Sequence, residues 1–486
     1  MLQKQGKIRF SEFASLYDVV VPADHELRKL DALCDGFQFV YDELKSKYCP
    51  DNGRTAVDPR VLFKYLLIKT IDNLSDVDVV KHSMYDMSYK WFLGYMPEEK
   101  VIDPSLLTKF RRQRLQDVNL LDMLIGKSIS IAKANGLLKS KTIIVDATHT
   151  SSKYHPQSQI DVLRERSKML RRNLYSMDDA VKEQLPTKYE GSDLEKELEY
   201  QENLIEKIKT LPYAQFPAIF ERMNYLIEAM EDIRDHYTVS KDQDARIGHK
   251  TADSKFFGYK THLAVTGEGL VSAAVITSGE VGDGTQLPEL IDKSLENDIE
   301  IETVIGDGAY SGQGNIAYVN GMGAELISKT KPNVAQGQRD DEGFTYNKDA
   351  EMYVCPAGHL ATSKYVIHFK DHNSREVYHF SKKKCKVCKL KDVCWKKDLK
   401  LGKTYSVTIR PELLQKQLDF EKTREFKEKY RERYKVESKN ADLKNNYGYR
   451  MTLSYGIEAM EMQGAMALFS ANMRLIMRKM AQNKRK

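Results

Sequence analysis

The sequence predicts an α/β fold, with a helical segment in front of it and two insertions within it. Three observations lead there. Thr142–Val145, in the run TIIVD, is β-branched and apolar throughout, the pattern of a buried strand. Strand patterns return at Tyr259–Val265, at Val271–Thr277, in the run ETVIGD that ends on Asp307, and at Ala324–Ser328. A helix pattern over Gln286–Leu295 separates Val271–Thr277 from ETVIGD, and strands alternating with helices indicate a sheet flanked by helices.

The elements follow in order. Residues 1–138 read as helical, with a helix near Asp24–Leu44 and another opened by Pro59 that carries Leu62, Leu66 and Leu67. Ser75 has the character of an N-cap, with Asp76 and Asp78 favourable in the first turn. Asp103-Pro104 introduces LLTKFRRQRLQ, where Leu106, Leu107, Phe110 and Leu115 alternate with Lys109, Arg111, Arg112 and Arg114. Such a helix could lie on DNA phosphates, and a solvated charged face is equally open. Residues 139–158 and 240–330 hold the strands. Between them, 159–239 is a charged insertion in which Leu194, Leu198, Ile205 and Ile208, then Met223, Ile227 and Met230, recur at helical spacing. It reads as two or three helices. Residues 331–410 are polar, Lys-rich and hold four of the six cysteines. Within 411–486, Pro411 opens a long helix reaching about Lys444, and a last helix over about Gly456–Met480 carries a methionine stripe that reads as core.

Composition narrows the classes less than the pattern does. A chain of 486 residues, 41% hydrophobic and 30% charged, can bury a core and is not a disordered chain. The net charge of +6 is a mild basic excess that suits a plain soluble protein as well as one that binds nucleic acid. The first residues, MLQKQGKIRF, lack the apolar core of a signal peptide, and no run of about 18 apolar residues suggests a membrane span. Few cysteines in a long chain fit a cytosolic setting with reduced thiols.

Asp146 and Asp307 each close an apolar strand pattern, and the strand ends of α/β sheets are where ligand sites collect. A single such aspartate is more often a turn or cap residue. Two at equivalent ends, followed by ATHT and GAYSG, shift the reading toward function. In the predicted long helix, Tyr430, Arg433, Glu437 and Lys444 fall within an arc of roughly 60° at about 100° per residue. An ordinary solvated helix with charge pairs would read the same way, and periodicity leaves both open.

Those four residues match, at every spacing, the Y-x2-R-x3-E-x6-K signature of a large group of bacterial insertion-sequence transposases of the DDE type. The chain resembles that family from about residue 57 to 478. IIVDAT and VIGDGAYSG resemble its first and second acidic motifs, and FFGYKTHLAV resembles the strand after the first. The stretch DPRVLFKYLLIKTIDNLSDVDVVKHSMYDMSYKWFLGY with LLTKFRRQRL is similar to its helical N-terminal domain, and EAMEMQGAMALFSANMRLI to its closing helix. Asp307 is followed by Gly308-Ala309-Tyr310, where the family often has Asp-x-Gly-Tyr, and the helical insertion is absent from many relatives.

The resemblance implies a ribonuclease-H-like mixed sheet that brings Asp146, Asp307 and Glu437 together as hard oxygen ligands for Mg²⁺ or Mn²⁺. It implies in-line phosphoryl transfer that cleaves transposon ends and joins them to target DNA. The partners it implies are double-stranded DNA, both terminal inverted repeats and target, and a second copy of the chain on paired ends; the place is the cytoplasm, at the nucleoid. Tyr430, Arg433 and Lys444, with Lys109, Arg111 and Arg112, are expected on phosphates. A nuclease without strand transfer and a transposase-derived regulatory protein remain alternatives. Asp283 is a weaker candidate for the site, and His149 and His262 read as structural.

Cys385-x2-Cys388 has a zinc-knuckle spacing, and Cys394 with the distant Cys355, before Pro356, would complete four thiolates of a closed structural zinc site; four reduced thiols are the plainer reading and an iron–sulfur cluster a lesser alternative. Lys382, Lys383, Lys384, Lys386 and Lys389 around them suggest contact with DNA. Cys34 and Cys49 are expected as buried thiols.

Overall fold

The computed structural model describes residues 11–49, 55–154, 158–234, 242–249, 254–331, 343–368, 374–394, 402–408 and 412–483. Pro411 lies outside them. Six strands form the main sheet: β1 (Thr142–Ser151), β2 (Arg246–His249), β3 (Lys255–Thr266), β4 (Val271–Ser278), β5 (Thr303–Ile305) and β6 (Glu325–Ile327). β3 runs antiparallel to β1, from the pair Ile143–Thr266 to the pair Ser151–Gly258. β2 and β4 both lie antiparallel along the far edge of β3. On the other side β5 and β6 run parallel to β1.

β1 is longer than its apolar run predicts. ATHTS continues the strand because β3 is long enough to pair with all of it, so Asp146 lies inside β1 rather than at its end. β5 stops short of Asp307 for a local reason. A side chain at Gly306 would meet the Tyr310 ring at 2.8 Å and Val145 Cγ2 at 3.0 Å, so the chain passes close here and turns. Asp307 then caps the short turn Gly308–Tyr310, accepting from the Ala309 amide at 2.8 Å.

The last helix, Ile457–Asn483, runs under the sheet and buries Met460, Met466, Leu468 and Phe469, so the methionine stripe is core. Its wholly buried Asn472 bonds both backbone groups of Val271 at 2.9 Å, satisfying the start of β4, and donates to Ser128 Oγ at 2.8 Å. The N-terminal helices share this core: Phe39 and Phe63 pack against Phe469. The helix expected near Asp24–Leu44 is two, Glu26–Leu33 and Gln38–Leu44, parted where Asp35, Gly36 and Phe37 all take positive φ. Cys34 is buried, whereas Cys49 is exposed, against expectation.

The insertion contains three helices, Gln159–Met177, Leu194–Lys209 and Pro217–Arg234, around a core of its own that includes Leu163, Leu204 and Leu226. Buried Glu197 is held there by Arg164 at 2.9 Å. The Lys-rich stretch forms two small sheets that the sequence did not suggest: Thr345–Asn347 with Met352–Val354, and Ser363–Ile367, Arg375–His379 and Thr404–Thr408. Phe344, Tyr353, Tyr378, Phe380 and Tyr405 make their core. The long helix expected up to Lys444 is broken into Glu412–Phe420, Arg424–Tyr430, a 3-10 turn at Arg431–Arg433, and Tyr434–Asn446. A single 60° arc therefore does not hold from Tyr430 onward. Among the described residues no helix is long and apolar enough to cross a membrane.

Candidate active site

β1 and β5 set the first two carboxylates. Their parallel register joins Thr142 to Thr303, Ile143 to Val304 and Ile144 to Ile305. Asp146 and Asp307 each lie two residues beyond the last pair, so both leave this parallel pair at the same end. The electrostatics agree with that placement. The Asp146 carboxyl is pushed up to about 6, first by burial and next by the charge of Asp307. Asp283 adds to the rise, while the Ala147 amide and the Arg433 charge oppose it.

The helix Tyr434–Asn446 packs over β1. Its Asn440 donates from Nδ2 to Asp146 Oδ2 at 2.9 Å. Glu437 lies one turn earlier, about half exposed, with Oε1 bonded by Arg433 Nη2 at 2.5 Å. Lys444 Nζ sits 3.4 Å from His149 Nδ1, and the His149 ring packs on Phe256 at 4.9 Å. Tyr430 stacks on Phe426 at 5.8 Å, with the Lys329 ammonium 4.9 Å and the Arg433 guanidinium 5.9 Å from its ring. Asn440 and Lys329 escaped the sequence reading. The three-residue step from Glu437 to Asn440 was the available signal for the first, and nothing local marked the second.

A second turn closes on the aspartates. Asn315 Nδ2 donates to Gly284 O at 2.8 Å and to Tyr310 O at 3.1 Å, tying the turn that carries Asp283 to the turn that follows Asp307. Asp283 Oδ1 accepts from Lys260 Nζ at 2.8 Å. His262, wholly buried, bonds Thr277 Oγ1 through Nε2 at 2.9 Å. Burial lowers its pKa to about 4, so it is neutral at pH 7. Tyr310 is also wholly buried, and its hydroxyl has no hydrogen-bond partner. Burial, then the charges of Asp146, Asp283 and Asp307, raise its pKa far above the ordinary phenol value.

The donor set suits a divalent cation: close carboxylates, one of them raised by burial and then by its neighbour's charge, are relieved when positive charge enters between them. Among the described residues, however, no three His, Cys, Asp or Glu side chains form a ready-made metal site. Asp146 and Asp307 are neighbours, and Glu437 is drawn off by Arg433.

The N-terminal cations divide. Lys109 and Arg112 are exposed. Arg111 is bonded to Asp76, which Lys69 also holds at 2.6 Å. Arg111 and Arg112, with Arg166 and Arg222 of the insertion, line a cleft of about 2500 Å³, which none of Asp146, Asp307 and Glu437 lines. In the Lys-rich unit Cys355, Cys385, Cys388 and Cys394 line one cavity of about 30 Å³. The Leu390 amide points at Cys388 Sγ at 3.4 Å. The Cys394 thiol is pushed up, mainly by burial and further by the other three cysteines, with Lys403 opposing.

No curated protein and no solved structure matches the chain. Two family descriptions do. "Transposase domain (DUF772)" covers residues 15–113, the N-terminal helices. "Transposase DDE domain" covers residues 231–473, half of the chain, and spans Asp307, Glu437 and Lys444 while beginning after Asp146. On that match, the chain belongs to the DDE transposases, enzymes that move DNA by phosphoryl transfer.

Proposed function

We propose that Asp146, Asp307 and Glu437 are the catalytic carboxylates of this transposase, carried on a ribonuclease-H-like sheet. The observation that supports this most is the parallel β1–β5 register, with the charge of Asp307 among the causes that raise the Asp146 carboxyl. An antiparallel β1–β3–β4 meander extended by two parallel strands supports the fold assignment. Mg²⁺ or Mn²⁺ bound there would activate water or a DNA 3′-hydroxyl and stabilise the departing 3′ oxygen. Asp146 and Asp307 present the fixed ligands from the sheet. Glu437 comes from the helix and joins them by leaving Arg433, which frees the guanidinium for a phosphate oxygen. Lys444, Tyr430 and Arg433 flank this point and hold the DNA backbone, and exposed Lys109 and Arg112 contact it further away. The Arg111–Asp76 pair makes Arg111 a weaker phosphate contact than its neighbours.

The same reading assigns the strand-joining step to this site, terminal inverted repeats and target DNA as its substrates, and a homodimer on paired ends as its working form. It divides the chain at 1–138, 139–158 with 240–330, 159–239, 331–410 and 411–486. Cys355, Cys385, Cys388 and Cys394 bind a structural zinc in the Lys-rich unit, supported by their shared cavity and by the amide aimed at Cys388.

The test is a cleavage and strand-transfer assay on DNA that carries the gene's own flanking sequences, with Mg²⁺ or Mn²⁺. Wild-type protein should cut at the repeat ends and join them. Glu437→Gln should bind the same DNA within about twofold and cut nothing. Cutting by this variant would remove Glu437 from the site.

A further inference from the structure

Asn440 stands out among the groups near the candidate site. It is the helix residue that touches Asp146, through Nδ2 to Oδ2 at 2.9 Å. Its other polar atom, Oδ1, is buried and has no hydrogen-bond partner among the described residues. Leaving a buried carbonyl oxygen unpaired costs on the order of 1–3 kcal/mol, so such an atom in a working site calls for a partner. A second unpaired atom lies close along the strand. Thr148 Oγ1 is buried without a partner among the described residues, two residues after Asp146 and therefore on the same face of β1. An amide oxygen can only accept, and a hydroxyl both donates and accepts. Together they describe a polar lining next to the Asp146 carboxylate with unmet hydrogen-bonding capacity, and a hydrated divalent cation brings ordered water of the kind that meets it.

We propose that Asn440 is a positioning residue for the metal at Asp146. Its Nδ2–H fixes the Asp146 carboxylate with one oxygen turned toward Asp307, and its Oδ1 accepts from a water of the cation's hydration shell. The spacing supports this role. Asn440 is three residues after Glu437 on one helix, so the helix that supplies the third carboxylate also orients the first. Ligand-orienting partners of this kind typically change metal affinity by about 10–100-fold when removed.

The inference rests on the assignment of Asp146 as a metal ligand, and the experiment separates the two. Mn²⁺ binding to the full-length, metal-free protein is titrated by the loss of the free-ion electron paramagnetic resonance signal, for wild type, Asp146→Asn, Asn440→Leu and Asn440→Ala. Leu keeps the branched four-heavy-atom outline of Asn, which guards against a cavity under the helix, and thermal melting without metal checks each fold. Expected are binding by wild type, none by Asp146→Asn at this site, and a loss of about 10–100-fold for both Asn440 variants with melting and DNA binding retained. Mn²⁺ affinity within about twofold of wild type in a folded Asn440 variant overturns the proposal and leaves Asp146 in place. Equal binding by wild type and Asp146→Asn overturns the ligand assignment, and with it this inference.

Discussion

Replacing Asp146 by asparagine should stabilise the metal-free protein while abolishing its chemistry. The carboxyl is raised from 3.8 to about 6 in the fold, by burial and then by Asp307. Below about pH 4 both folded and unfolded chains hold this proton, and the group costs nothing. Between about pH 4 and pH 6 the unfolded chain has released it and the fold retains it, so stability falls as pH rises. Above about pH 6 the loss is complete. Two units at about 1.4 kcal/mol each give close to 3 kcal/mol, and partial exposure of the side chain reduces this to about 2 kcal/mol. Asparagine keeps an acceptor for the Asn440 donor and carries no charge, so Asp146→Asn should recover that amount at pH 8. In a chain of 486 residues it corresponds to a rise in melting temperature of about 2 °C. Scanning calorimetry in excess chelator at pH 8 and pH 4 measures it. The variant should melt higher at pH 8 and with the wild type at pH 4, and Mn²⁺ should reverse the order at pH 8 by stabilising only the wild type. Equal melting at pH 8, or a gap unchanged at pH 4, would refute the account of why this carboxyl is raised.

Two further outcomes follow from the surroundings. Lys444→Ala should weaken binding to end DNA and reduce the slope of log affinity against log salt by about one, since one phosphate contact is lost; an unchanged slope in a salt titration takes Lys444 off the backbone. If the four cysteines hold zinc, purified protein should contain one equivalent by elemental analysis, and a strong chelator or Cys388→Ser should lower the melting temperature of the Lys-rich unit; a zinc-free protein with chelator-insensitive melting leaves the thiols as reduced cysteines lining a small cavity.

The strands were legible because burial on both faces demands runs such as IIV, VSAAVI and TVI, which need no context to be read. Asp146 and Asp307 were legible for the same reason, as charges set against those runs. What escaped depends on pairing at a distance. ATHTS is not apolar enough to announce a strand, and it is one because β3 lies alongside. Arg111 looked free because its partner, Asp76, is 35 residues away on another helix. Thr345–Asn347, exposed at every position, carries no alternation from which a strand could be inferred. The 3-10 turn at Arg431–Arg433 sits in a run charged all round, where no apolar stripe shows a change of phase.

The third carboxylate combines both cases. Its motif is local and was recognised by spacing, but which face of its helix meets β1 is a tertiary fact, and that fact puts Asn440 rather than Glu437 against Asp146. Arg433 explains the difference electrostatically. The charge of Asp307 already raises the Asp146 carboxyl, a third carboxylate in contact would raise it further, and Glu437 is bonded to Arg433 instead. On the proposed assignment, a cation held by the two aspartates would relieve them and favour Glu437 over its bond to Arg433, which would leave the guanidinium beside a site for a DNA phosphate. On that reading the Arg433–Glu437 pair and the neighbouring aspartates are two parts of one proposed metal- and DNA-binding arrangement.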